Sequence, residues 1–102
     1  MHTIRLARNR LDDEAGKKLF FSLLRGGCQL EILDLRENDV GNGCMEEFSK
    51  FLALGHLMEL DLSNNALRGK GIEVLCEGIA NQGALFNLNL TGNEGERVQK
   101  RA

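Results

Sequence analysis

The chain has 102 residues, 42% of them hydrophobic and 27% charged, with 13 Lys plus Arg against 15 Asp plus Glu for a formal net charge of −2. That places it among soluble globular chains with length for one domain; the balance of charge excludes a general nucleic-acid binder, and no apolar run approaches the roughly 20 residues that span a bilayer. No charged start leads into an apolar stretch, so no signal peptide is expected, and three widely spaced cysteines without C-x-x-C argue against a disulfide framework and for a reducing, cytoplasmic setting.

In chain order, the first segment is MHTIRLARN, ending at Asn9, with apolar residues at Met1, Ile4 and Leu6. Its alternation of apolar and polar side chains has the two-residue period of a strand with one buried face. Asp12, Asp13 and Glu14 follow, suited to the first turn of a helix. The period then changes to three and four at Leu19, Phe20, Leu23 and Leu24, which share one helical face. Gly26 and Gly27 close the unit, where a left-handed C-cap is expected.

The same sequence of events recurs. LEILDLREN, ending at Asn38, predicts a second strand on Leu30, Leu33 and Leu35; Met45, Phe48 and Leu52 predict a second helix; Gly55 ends it. LMELDLSNN, ending at Asn65, predicts a third strand on Leu57, Leu60 and Leu62, followed by a helix on Ile72, Leu75, Cys76 and Ile79 that stops at Gly83. LFNLNLTGN, ending at Asn93, predicts a fourth strand on Leu85, Leu88 and Leu90, after which the chain reads EGERVQKRA. The four asparagines stand 29, 27 and 28 residues apart, and all twelve apolar slots before them are filled.

At these residues the chain resembles the leucine-rich repeat family, whose pattern is L-x-x-L-x-L-x-x-N/C-x-L. The next slot, two after each asparagine, holds Leu11, Val40 and Leu67, while the fourth copy departs with Gly95. The repeat length and the helical second half look like the long, ribonuclease-inhibitor-like subfamily. The resemblance implies an α/β leucine-rich-repeat solenoid, a horseshoe segment with parallel strands on its concave face and helices on its convex face. One domain over 1–102 is expected, with repeats 1–29, 30–56 and 57–84 and a partial repeat 85–102. Single units cannot bury their apolar faces and must stack. The asparagines Asn9, Asn38, Asn65 and Asn93 are expected to form a structural ladder, each amide bonded to neighbouring backbone. With no polar capping segment at either end, the chain reads as a piece of a longer array, or as one that self-associates through its uncapped ends.

Chemistry is hard to find. His2, His56, Cys28, Cys44 and Cys76 are not at metal-ligand spacing; Cys44 and Cys76 read as small buried fillers, with Cys76 in the slot of Phe20 and Ser49. Gly41-Asn42-Gly43 and Gly69-Lys70-Gly71 complete no phosphate-binding motif. No Ser or Cys stands out as supported by a nearby base, and Glu59 with Asp61 resembles a carboxylate pair, but two side chains on one strand face are usually just solvated. Asn89-Leu90-Thr91 matches a glycosylation acceptor but falls on a strand, where chance is the better reading. No enzyme, metal or cofactor is expected.

Function is therefore expected on the strand slots that face away from the helices. Four before each asparagine these read Arg5, Asp34, Asp61 and Asn89; six before, Thr3, Ile32, Glu59 and Asn87; two before, Ala7, Arg36, Ser63 and Thr91. Arg5 beside Asp34, and Arg8 near Glu37, can pair across neighbouring strands. The expected role is a non-catalytic protein-interaction module of an intracellular protein, binding a protein partner through Arg5, Ile32, Asp34, Arg36, Glu37, Glu59, Asp61, Ser63, Asn87, Asn89 and Thr91. Charge reversal at Asp34 and Asp61 should then weaken binding without lowering the melting temperature. Alternatives carried by the resemblance are a regulatory repeat domain, like those of Ran GTPase activators or the sensor ends of NOD-like receptors, and an oligomerising scaffold in a cytoskeletal or flagellar assembly.

Overall fold

In the computed structural model, which describes residues 3–25, 29–80 and 82–93, three helices lie over a four-stranded sheet. The strands are β1 (Thr3–Arg5), β2 (Ile32–Asp34), β3 (Glu59–Asp61) and β4 (Asn87–Asn89), and the helices α1 (Asp13–Arg25), α2 (Met45–Leu52) and α3 (Gly69–Ala80). The sheet order follows the chain, β1-β2-β3-β4, and every pair is parallel. A strand, a crossing helix and the next parallel strand make each step, the arrangement that parallel pairing demands.

The register is in step across the sheet. Ile4 faces Leu33, Leu33 faces Leu60, and Leu60 faces Leu88, so the central apolar residue of every strand points to the helical side. Leu33 and Leu60 are buried, whereas Ile4 is half-buried and Leu88 is 38% exposed, because each lies on an outer strand with a neighbour on one side only. Leu35, Leu62, Val40 and Leu67 continue the core below the strands, and Phe20, Phe48, Leu52, Ile72 and Leu75 close it from the helices. The Phe20 and Phe48 rings stack at 4.3 Å, locking α1 to α2.

Two expectations about the helices need correction. Cys76 is exposed, not a core filler. Phe20, which stacks on Phe48, stands eleven residues after Asn9, whereas Phe48 and Leu75 stand ten after Asn38 and Asn65. The first unit has one residue more before its helical core, so alignment on the asparagines is one place out by that point. Cys76 falls in the outward slot of Phe21, itself exposed, and Ser49. Gly83 is not a left-handed cap either. Of the expected helix-closing glycines among the described residues only Gly55, with φ of 84°, adopts that conformation; Gly26 and Gly27 lie outside them. Past the end of α3 the Gln82 side chain organises the turn, its Oε1 accepting the N–H groups of Ala84 (2.6 Å) and Leu85 (2.7 Å) and its Nε2 donating to the Leu57 carbonyl.

Acidic residues hold the start of α1 as their position suggests, with one refinement. Asp12 precedes the helix, and its Oδ1 accepts the Ala15 N–H at 3.0 Å, an N-cap bond. Asp13 and Glu14 occupy the first turn.

Candidate interaction face

Four residues past the end of each strand stands an asparagine, and in the second, third and fourth units its amide both accepts and donates. The Asn38 Oδ1 accepts the N–H groups of Asn9 and Leu11 from the preceding unit, and its Nδ2 donates to the carbonyls of Leu6, Leu35 and Arg36. Asn65 accepts from Val40 and donates to Leu35, Leu62 and Ser63. Asn93 accepts from Leu67 and donates to Leu62 and Leu90. In all three the primary amide satisfies turn backbone that the sheet has ceased to pair, which only a side chain with both donor and acceptor achieves. The side chain of Asn9, past the end of β1, is exposed and among the described residues bonds only to the Ala7 carbonyl.

A second ladder runs beside the first. The Asp13 carboxylate accepts the Gly41 N–H at 2.6 Å and the Gly43 N–H at 3.2 Å, and Asn42 Oδ1 accepts the Arg68 N–H at 3.0 Å. Asp13 and Asn42 each stand four after their asparagine, and each binds the residue three after the next one. The Gly41 and Gly43 amides are thus occupied by a carboxylate of the chain itself. A depression of about 340 Å³ lies along this row, lined by Asp13, Asp39, Gly41, Asn42, Gly43, Ala66 and Arg68. Sequence reasoning missed this row; the signal was an acid or amide repeated four after the asparagine. Cys44 sits beneath it, with its thiol 3.8 Å from Asp13 Oδ1. Burial, reinforced by the Asp13 charge, pushes that thiol up to about 12, so it stays protonated and unreactive.

The outward face of the sheet carries a shallow groove of about 290 Å³. Arg5, Ile32, Asp34, Arg36, Glu59, Asp61, Asn87 and Asn89 line it, brought together by the in-step register. Glu37, Ser63 and Thr91 do not. Glu37 is paired at the strand end with Arg8, Nε to Oε2 at 2.7 Å. Ser63 is buried, its N–H and hydroxyl both donating to Asp61 Oδ1, at 2.9 and 2.6 Å. Thr91 makes the same two bonds to Asn89 Oδ1, and the Arg36 N–H donates to Asp34 Oδ1.

Asp34, Asp61 and Asn89 are therefore strand-ending residues as well as groove residues, each folding its side chain over the backbone two places on. The expectation that charge reversal at Asp34 and Asp61 leaves stability untouched does not fit this geometry. Nor does Arg5 pair with Asp34. The two are in register, but the ion pair of Asp34 is with Arg36, at 3.6 Å, because Arg36 reaches it along the same strand. Asn87 Nδ2 donates to Glu59 Oε1 at 3.1 Å across β3 and β4. Among the described residues no group of His, Cys, Asp and Glu could hold a metal ion, and no helix is long and apolar enough to cross a membrane.

The family model described as "Leucine Rich repeat" matches residues 55–76, which run from the turn before β3 into α3. The ribonuclease inhibitor of Sus scrofa is 37% identical over 89 residues, spanning 86% of this chain and 20% of the inhibitor. The ribonuclease inhibitor of Mus musculus is 36% identical over 76 residues, 74% of this chain and 17% of that protein. The NACHT, LRR and PYD domains-containing protein 5 of Mus musculus is 37% identical over 75 residues, 72% of this chain and 6% of its own length. The chain thus spans about a fifth or less of these relatives. The asparagine ladder, the all-parallel sheet with a helix between successive strands, and these likenesses agree: the chain belongs to the leucine-rich repeat family and is of the ribonuclease-inhibitor-like kind.

Proposed function

We infer that the chain is a protein-interaction module whose contact surface is the outward face of the sheet, the concave side of a horseshoe segment of a solenoid. The observation that carries this reading is the contrast within each strand. The apolar slots and the asparagines are committed to the stack, whereas Arg5, Ile32, Glu59 and Asn87 are held in one groove with no part in the core. A chain that spends no catalytic, metal-binding or apolar-cavity geometry there offers shape and charge, which is what recognition of a protein surface uses. In this reading repeats 1–29, 30–56 and 57–84 with the partial repeat 85–102 act as one unit, in a cytoplasmic setting and without catalysis.

The likeness to ribonuclease inhibitors makes a ribonuclease the first partner to test. Calorimetric titration of the chain with a ribonuclease, in wild type and in Ile32→Lys with Glu59→Lys, is expected to show binding that the groove changes abolish. Lys18→Glu with Glu73→Lys on the helical face should leave it intact. Binding lost with the helical changes and kept with the groove changes would overturn the assignment of the face. A second reading follows from the likeness to NACHT, LRR and PYD domains-containing proteins: the same face then serves as the sensing surface of a regulatory repeat domain, and ribonuclease does not bind.

A further inference from the structure

We propose that the outward sheet face takes a bipolar protein segment, one that sets a carboxylate against Arg5 and a lysine or arginine against Asp61, with Ile32 beside the path between them. This rests on the reading of that face as the contact surface and adds the chemistry of the partner.

Arg5 is exposed on β1, and among the described residues it has no ion pair; its register neighbour Asp34 is taken by Arg36. A guanidinium in this position is a ready donor to a planar carboxylate. Asp61 commits Oδ1 to Ser63, and among the described residues Oδ2 makes no hydrogen bond. Glu59 lies in the same groove on the same strand, its Oε1 held by Asn87. The positive end of the groove is on β1 and the negative end on β3, two strand spacings or about 10 Å apart. Asp34, already paired with Arg36, stands directly between them in the register, and Ile32, half-buried in the adjoining row between Thr3 and Glu59, is the apolar side chain beside that path.

A segment of uniform charge gains at one end and is repelled at the other. A purely basic one meets Arg5 and Arg36, a purely acidic one Glu59 and Asp61. A segment carrying both signs satisfies both ends, and in an extended chain rising about 3.4 Å per residue the acid and base stand two to four positions apart.

The test is selection of a displayed random-peptide library on the full chain, run in parallel on wild type, Arg5→Glu, the milder Arg5→Gln, and Asp61→Asn. Asp61→Asn keeps the acceptor for Ser63, as Asn89 does for Thr91. Wild type is expected to select peptides with one acidic and one basic residue at that spacing. The Arg5 variants should lose the acidic preference alone and Asp61→Asn the basic preference alone, each weakening the wild-type peptides by about five-fold or more. Peptides of a single sign, or preferences that the variants do not move, overturn the proposal while leaving the face as the contact surface. Selected peptides whose binding survives Ile32→Lys overturn the reading of the face itself, and a library that yields no binder on wild type overturns both.

Discussion

Asp13, in the first turn of α1, accepts the backbone N–H of Gly41 at 2.6 Å, tying the start of one helix to the turn before the next. The same carboxylate reaches the Gly43 N–H. A half-exposed charged acceptor of two backbone donors contributes about 1–2 kcal/mol, more than a surface ion pair. Asp13→Ala should therefore lower stability by about that amount in urea unfolding, and Asp13→Asn by less. A loss equal to that of Glu14→Ala, whose contact is only an exposed pair with Lys18, would count against the ladder.

Gly78 and Gly83 should respond in opposite ways to the same change. A methyl group at Gly78 would meet Ser49 Oγ at 2.6 Å and the Ser49 carbonyl at 2.9 Å, so α2 and α3 would have to move apart. Gly78→Ala is expected to cost about 1–3 kcal/mol despite alanine's better helix propensity. At Gly83 nothing lies within 4 Å and φ is ordinary, so Gly83→Ala should be neutral or stabilise by up to about 1 kcal/mol. Melting temperatures of the two variants check both at once.

Arg8, Glu37 and Asn64 all hold positive φ, at 60°, 55° and 56°, and Gly92 holds the equivalent place in the fourth unit. All four precede their asparagine by one residue, so the left-handed turn is a property of the stack and not of any one side chain. Such a conformation costs a non-glycine residue about 1 kcal/mol or more. Glu37→Gly should relieve it and forfeit only the exposed pair with Arg8, leaving stability within about 1 kcal/mol of wild type. Glu37→Val, β-branched in the same conformation, is expected to lose about 1–2 kcal/mol. Equal stabilities for the two variants by denaturant unfolding would refute this account of the turn.

Cys44 and Cys76 should differ sharply in reactivity. Iodoacetamide at neutral pH, with peptide mapping, is expected to label Cys76 in the native chain and Cys44 only after unfolding. The same burial makes a pH prediction. Because the folded thiol titrates well above its unfolded counterpart, its contribution is complete below the ordinary thiol pKa near about 8.5. It is lost as pH rises from there towards about 12, at up to about 1.4 kcal/mol per pH unit. Cys44→Ala should flatten the alkaline fall in melting temperature, and an unchanged slope would contradict the assignment.

Much of the fold was legible in the order of apolar residues. Leu33, Leu35 and Asn38 recur as Leu60, Leu62 and Asn65, and a pattern with period two followed by one with period three to four has a single efficient solution, strand and helix stacked on copies of themselves. Arg8 with Glu37 was legible too, since equal offsets from successive asparagines place them side by side. The helical half was less so. A single extra residue before Phe20 shifted the count by one, and Cys76 changed from core to surface, because a helix turns its side chains by about 100° per residue.

For the candidate face, the sequence by itself determined that Arg5, Asp34, Asp61 and Asn89 stand in one row, since repeats in register bring them together, but not that Glu37, Ser63 and Thr91 fall outside the groove. What each member of the row does was decided only by the tertiary structure. Whether Asp34 meets Arg5 or Arg36, and whether Asp61 turns to a partner or to Ser63, depends on distances of an ångström or two between side chains of equal charge and similar reach. Periodicity is blind to that scale, because it records which face a residue occupies and not how far its atoms extend. Asp13 in the cradle of Gly41 and Gly43 belongs to the same class of fact: the carboxylate and the two amides lie about a whole repeat apart in the chain and meet only when one unit packs on the next.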